Sequence, residues 1–256
     1  MNIAILTLGC KTNQAESMQI QRDLIKSGHK IVNISEMPDI CIINTCTVTA
    51  KADYQSRQLI NKALKKGSKV IVTGCYSELN FDYIAKRYNI EMVPNSKKSN
   101  IINIIPKSNL TFNLNTSFNN NDRHRPIVKV QEGCNYSCSY CTIPLARGRS
   151  KSIEPSKVIE EVTNLALSGY KEIVLSGTHL GLYGFDLKPK VTLSKLIMEL
   201  LIKTSIPRIR LSSIEINEID EELLEIMSDK RICNHLHIPL QSGDDNILKY
   251  MNRTYT

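Results

Sequence analysis

The chain has 256 residues, 41% of them hydrophobic, which is enough for a buried core and for one or two domains. No run approaches the roughly 18 consecutive apolar residues of a membrane helix, and the opening MNIAILTLGCKTNQ lacks the charged start and cleavage site of a secretory signal, so the expectation is a cytoplasmic protein with no membrane partner. The net charge of +8 is unevenly placed: residues 1–126 carry 17 Lys and Arg against 9 Asp and Glu, while 127–256 carry 16 of each, which makes the first half compatible with a nucleic-acid partner.

In the first hundred residues short Ile- and Val-rich runs alternate with segments of helical period. Strands are predicted at 2–8, 31–34, 40–44 and 69–74 and helices near 13–27, 50–66 and 80–88, an α/β pattern whose strands, apolar on both faces, suit a buried parallel sheet. The asparagine-rich stretch PKSNLTFNLNTSFNNNDRHR has no sustained period and reads as a linker over 106–125, between a domain at 1–105 and another at 126–256. Strand and helix alternation resumes at Pro126, with strands predicted at 127–131, 172–177, 208–213 and 235–240. Four βα units without a Gly-rich phosphate loop predict a partial (βα) barrel rather than a second doubly wound sheet.

Eight cysteines without a secretory signal point to metal ligation or redox chemistry rather than to disulfides. In EGCNYSCSYC the residues Cys134, Cys138 and Cys141 follow a predicted strand with C-x3-C-x2-C spacing. Three thiolates from one loop suit three irons of a cubane cluster and leave the fourth open. A structural zinc site wants a fourth Cys or His, which neither the loop nor its flanks provide, although Cys233 or a distant histidine stays open as a fourth ligand. Cys10, Cys46 and Cys75 each come just after a predicted strand, and strand ends of a parallel sheet share one edge where ligands bind. Cys41 and Cys233 read as core or incidental residues.

The segments LGCKTNQAES, INTCTVT, TGCYSE, EGCNYSCSYCTIPLARGRSKS, LSGTHLGLYG and HLHIPLQSGDDNILKYMNRTYT, in this order, resemble the radical S-adenosylmethionine methylthiotransferase family. The resemblance implies an N-terminal α/β domain with an auxiliary 4Fe-4S cluster on Cys10, Cys46 and Cys75. It implies a barrel with a second 4Fe-4S cluster on Cys134, Cys138 and Cys141, and a C-terminal RNA-binding TRAM domain that this chain lacks together with the end of the barrel. By the same resemblance, one S-adenosylmethionine methylates a sulfur species held at the auxiliary cluster. A second is cleaved to a 5′-deoxyadenosyl radical that takes hydrogen from C2 of an adenine in tRNA. KTN after Cys10 and THLGLYG look closest to the branch acting on N6-threonylcarbamoyladenosine, the isopentenyladenosine and ribosomal-protein aspartate branches being the alternatives. A non-catalytic metal-binding or electron-transfer module is the rival from outside enzymology. The implied partners are tRNA, an external electron donor such as flavodoxin or ferredoxin, and a sulfur donor.

Further site residues follow from position. Tyr140 sits before the last cysteine of the loop, where the family places an aromatic residue near the adenine. Gly177 and Gly181, with Gly184, follow a strand where backbone can approach a ligand, and the resemblance implies that they contact S-adenosylmethionine. Arg147, Arg149 and Lys151 are candidates for RNA phosphates or the cofactor carboxylate. His179, His235 and His237 receive no catalytic role, and no acid or base is assigned.

Overall fold

A computed structural model describes residues 1–106 and 125–256, so the linker expected at 106–125 lies almost wholly outside the described residues. These form two compact units, one of residues 1–106 with the short segment Leu145–Arg147, the other of 125–144 and 148–256.

The first unit is a five-stranded parallel sheet of β1 (Asn2–Thr7), β2 (Lys30–Ile31), β3 (Ile40–Thr45), β4 (Lys69–Gly74) and β5 (Glu91–Met92), in the order β2-β1-β3-β4-β5. Its helices are α1 (Lys11–Lys26), α2 (Ala50–Lys65), α3 (Cys75–Leu79), α4 (Phe81–Arg87) and α5 (Ile101–Ile104). β3, ICIINT, is buried at every position, as a central strand covered on both faces requires. Its side chains alternate with the pleat. Ile40 and Ile42 join Ile3, Ile71 and the α1 residues Ile20 and Leu24, whereas Cys41 and Ile43 join Val70, Val72 and the α2 residues Ile60 and Ala63. Burial among these residues pushes the Cys41 thiol up to about 12. Strand order reverses between β1 and β3, and in sheets of this order ligands bind outside the carboxyl ends of the strands at that reversal.

The second unit has the strand order β7-β6-β8-β9, in which β6 (Ile127–Glu132), β8 (Ile173–Gly177) and β9 (Ile209–Leu211) run parallel and the short β7 (Lys151–Ser152) pairs antiparallel with the end of β6. Its helices are α6 (Ile143–Arg147), whose last three residues cluster with the first unit, then α7 (Pro155–Leu167), α8 (Leu193–Lys203), α9 (Glu221–Ile226) and α10 (Asp245–Tyr250). Val158, Val162 and Leu165 of α7 and Leu196, Ile197 and Leu200 of α8 recur at helical spacing and pack over Ile173, Leu175, Ile209 and Leu211.

The fourth barrel strand expected at 235–240 is not formed: this stretch carries only the isolated bridge Ser213↔His237. Pro239 has no N–H to give a ladder, and His235, His237 and Leu240 are exposed, so alternation alone misread a segment that buries little. At the opposite end of the strands, Glu172 precedes β8 and accepts hydrogen bonds from Arg125, Arg208 and Arg210 at 3.4, 3.1 and 2.8 Å.

Candidate functional site

In the first unit the three dispersed cysteines stand at the carboxyl ends of adjacent strands. Cys10 is the N-cap of α1 after β1, Cys46 directly follows β3, and Cys75 opens α3 after β4. Gly9, at φ +96°, lies so close to Cys46 that a Cβ there would come within 2.5 Å of the sulfur, a contact only glycine avoids. Burial first, and then the neighbouring thiols of Cys10 and Cys75, raises the Cys46 thiol above its ordinary range. The Cys46 sulfur therefore lies within electrostatic reach of the other two.

Behind them lies a buried polar cluster. Glu16, on α1, accepts from Lys98 Nζ at 2.5 Å and from Arg147 Nη1 at 2.7 Å. Lys98 also donates to Asn44 Oδ1 at 3.2 Å, and Arg147 Nη2 donates to Asn13 Oδ1 at 2.5 Å. Burial lowers the pKa of Lys98 despite Glu16. Burial also opposes the charge of Arg147, but Glu16 and the nearby Cys75 and Cys10 outweigh it and hold its pKa above the ordinary value. Arg147, expected to meet a phosphate or the cofactor carboxylate, instead has a side chain only 1% exposed and spent on Glu16. Arg149 and Lys151 are exposed.

In the second unit Cys134, Cys138 and Cys141 line one cavity of about 190 Å³ with Tyr140, Thr178, His179, Glu215 and Arg253. All eight cysteines of the chain are free thiols. Burial and the adjoining thiols of Cys138 and Cys134 raise the Cys141 thiol. His179 Nδ1 lies 3.1 Å from Cys134 Sγ, its Nε2 meets Glu218, and its ring stands edge-on to Tyr136 at 4.6 Å. Burial would lower the His179 pKa, but hydrogen bonding to Cys134 and Glu218 outweighs it and carries the value to about 9. Arg253 Nη1 donates to Cys138 Sγ at 3.4 Å and to Glu215 Oε1 at 3.1 Å, with its guanidinium 5.8 Å from the Tyr140 ring.

Among the described residues three buried polar atoms on this cavity wall have no hydrogen-bond partner: Thr178 Oγ1, Glu215 Oε2 and Arg253 Nε. Such atoms are costly when left unpaired, and here they offer a hydroxyl, an acceptor and a donor to a polar ligand. Among the described residues no three His, Cys, Asp or Glu side chains are placed to hold a single metal ion. A cubane spreads its thiolates over separate irons, so three thiols around a cavity meet its requirement without converging on one point. The site fits a cluster with one iron open to a small zwitterionic ligand. Gly177 and Gly181 do not line the cavity: Gly177 packs against Gln131 and Gly181 against the Glu218 carboxylate.

Glu16, Lys98, Thr178, Glu215, Glu218 and Arg253 went unread in the sequence as site residues. Glu16, Thr178 and Arg253 lay within quoted motifs, LGCKTNQAES, LSGTHLGLYG and HLHIPLQSGDDNILKYMNRTYT; Lys98, Glu215 and Glu218 meet their partners only through long-range folding.

Residues 2–94 match the sequence pattern of the uncharacterized protein family UPF0004, and residues 128–256 match that of the radical SAM superfamily. The chain is 38% identical to the threonylcarbamoyladenosine tRNA methylthiotransferase MtaB of Aquifex aeolicus, over 100% of this chain and 67% of that protein. The chain belongs to the radical S-adenosylmethionine methylthiotransferase family. The protein of the same name from Bacillus subtilis is also 38% identical, over 99% of this chain and 60% of its own length, so the chain spans about 60 to 67% of these curated relatives of the family. In fold it is similar to TsrM, a radical S-adenosylmethionine methyltransferase from Kitasatospora setae, with a TM-score of 0.67 at 13% identity over 100% of this chain and 64% of that one. The α/β architecture of a parallel sheet followed by a radical SAM unit is thereby established.

Proposed function

We propose that the chain is the cluster-bearing part of a tRNA methylthiotransferase that converts N6-threonylcarbamoyladenosine to its 2-methylthio derivative. The observation that carries this reading is the thiol triad Cys134, Cys138 and Cys141 on a cavity that also presents three buried polar atoms unpartnered among the described residues. The family, and the names of the two relatives, supply the substrate.

Cys134, Cys138 and Cys141 would hold a 4Fe-4S cluster and Cys10, Cys46 and Cys75 a second one. The first supplies, when bound, the electron that cleaves S-adenosylmethionine, and the auxiliary cluster supplies a place for sulfur. The chain's own residues then bind and exclude. Arg253 is suited to donate to the carboxylate of S-adenosylmethionine, Glu215 to accept from its amino group or ribose hydroxyls, and Thr178 to do either. Tyr140, half exposed on the cavity wall and donating to Gln241 at 3.0 Å, offers a ring face to the adenine. Ile143, Ile214 and Pro239 give the cavity an apolar side, which keeps water from a reactive radical. His179, fixed between Cys134 and Glu218, holds that thiol in place.

The reading requires a tRNA with an adenosine in a single-stranded loop, an external reductant such as flavodoxin or ferredoxin, and a sulfur donor. Mass spectrometry of tRNA nucleosides from a strain lacking the gene tests it. Loss of 2-methylthio-N6-threonylcarbamoyladenosine alone is the expected result; intact levels of that nucleoside, or loss of an isopentenyladenosine derivative instead, would overturn the assignment.

A further inference from the structure

Beside Cys75, on the outer side of α2 and α4, the first unit displays a cluster of arginines and tyrosines that the proposed chemistry does not use. Arg57 on α2 donates through Nη1 to Tyr76 Oη at 3.1 Å, and its guanidinium lies 5.8 Å from the ring of that tyrosine, the residue next to Cys75. Arg87, at the end of α4, lies 5.9 Å from the Tyr83 ring and 5.7 Å from the Tyr88 ring. Tyr54, Phe81 and Tyr83 are 55%, 49% and 45% exposed.

Two features separate this face from an ordinary solvated surface. Tyr83 is near both Arg57 and Arg87, which brings two like charges to one face. Among the described residues neither forms an ion pair with a carboxylate, Asp53 attracting Arg57 only at a distance. Tyrosine ring faces hold both planes in place of acids. Residues 50–88 also carry eight Lys and Arg against three Asp and Glu, so the surrounding field favours an anion.

We propose that this face, centred on Arg57, Tyr83 and Arg87, is a docking surface for single-stranded RNA, an inference that rests on the tRNA reading given above. Single strands are bound where cationic groups meet phosphates and exposed aromatic rings or arginine planes stack on unpaired bases. An anion here neutralises two guanidiniums that have no carboxylate partner among the described residues, and the exposed rings of Tyr83 and Phe81 offer bases a partner. An acidic protein, such as a reductant, would use the charges but has no need of the rings.

Fluorescence anisotropy of the whole chain with a labelled RNA hairpin, over a range of salt, tests this against the same stem as a blunt duplex. The double variant R57Q/R87Q should weaken hairpin binding about tenfold or more at low salt. It should also make the slope of log affinity against log salt shallower by about 1.4, at roughly 0.7 per phosphate contact on a single strand. Tyr83→Ala should weaken binding about five- to a hundredfold while leaving the salt slope nearly unchanged, as loss of stacking predicts, and duplex binding should respond less than hairpin binding. Tyr83 and Arg87 are exposed, and R87Q alone, with its melting curve recorded, controls for folding. Wild-type affinity and slope in these variants, no hairpin binding by the wild type, or variants that lose only a flavodoxin would each overturn the surface. Loss of hairpin binding in a protein whose deletion leaves the tRNA nucleosides intact would refute the methylthiolation reading and leave this surface standing.

Discussion

Glu172→Gln removes the charge from a carboxylate whose side chain is 9% exposed and which three arginines address from the starts of β6 and β9. Removing one member of a fully buried ion pair costs about 3–5 kcal/mol, and an exposed pair is worth about 0.2–1. Arg125 and Arg208 are 56% and 55% exposed and Arg210 is 22% exposed, so solvent screens two of the three contacts. The loss should fall near 2 kcal/mol, or about 6–10 °C in the melting of the second unit, at roughly 3–5 °C per kcal/mol for a size between the classes of about 60–100 and 150–250 residues. Burial opposes the charge of Glu172, but Arg210, Arg208 and Arg125 outweigh it and depress its pKa in the folded protein. For a carboxyl depressed on folding, the stabilisation is present above the unfolded value of about 4.3 and disappears as pH falls through the lower folded value. Differential scanning calorimetry of the two proteins from pH 7 to 3 should therefore give a constant gap down to about pH 5 and a closing gap below it. Equal melting at pH 7, or a gap that widens on acidification, would show that the three arginines do not stabilise the Glu172 charge.

His29 is 3% exposed with both ring nitrogens unpartnered among the described residues, and burial, then the N-terminal ammonium, lowers its pKa. Its neutral form is the one that folds, so His29→Leu should stabilise the chain by about 1–2 kcal/mol at pH 7. The advantage should grow as pH drops below about 6.5; a destabilised variant in urea titrations at both pH values would contradict this. Glu16→Gln leaves Lys98 and Arg147 beside each other in a buried site without the carboxylate between them. It should lower stability by about 3–5 kcal/mol, and chemical denaturation showing a loss under about 1 would argue that the cluster is better hydrated than its burial indicates. Glu215→Gln and Arg253→Gln should each weaken S-adenosylmethionine binding to the reconstituted protein about tenfold or more by equilibrium dialysis, the expected cost of a charged hydrogen bond; unchanged affinity would remove these residues from the ligand site.

Much of the fold was legible because its signals are local. The Ile-rich strand that became β3 was apolar at every position, and the C-x3-C-x2-C loop fixed its own thiols next to one another in the chain. Cys10, Cys46 and Cys75 could be read as a set because parallel strands align their carboxyl ends. What stayed hidden depends on partners far away in sequence. ARGRSKS looks like a basic turn at every position, yet Arg147 turns to Glu16, a residue 131 positions away. Lys98 lies in a polar stretch with no motif, and only the fold buries it beside Glu16. Gly181 read as room for a ligand, and a carboxylate from Glu218 fills that room. Residues 235–240 have strand alternation but lack the burial that makes alternation count.

Two separate thiolate cluster sites in one chain would show in the iron and sulfide content of protein reconstituted and purified without oxygen. About eight irons per chain are expected, four for each cubane. About four are expected when Cys10, Cys46 and Cys75 are replaced by Ala and about four when Cys134, Cys138 and Cys141 are, with reductive cleavage of S-adenosylmethionine surviving only in the first of these variants. About four irons in the wild type, unchanged by loss of Cys10, Cys46 and Cys75, or a colourless protein with bound zinc, would contradict the two cluster sites.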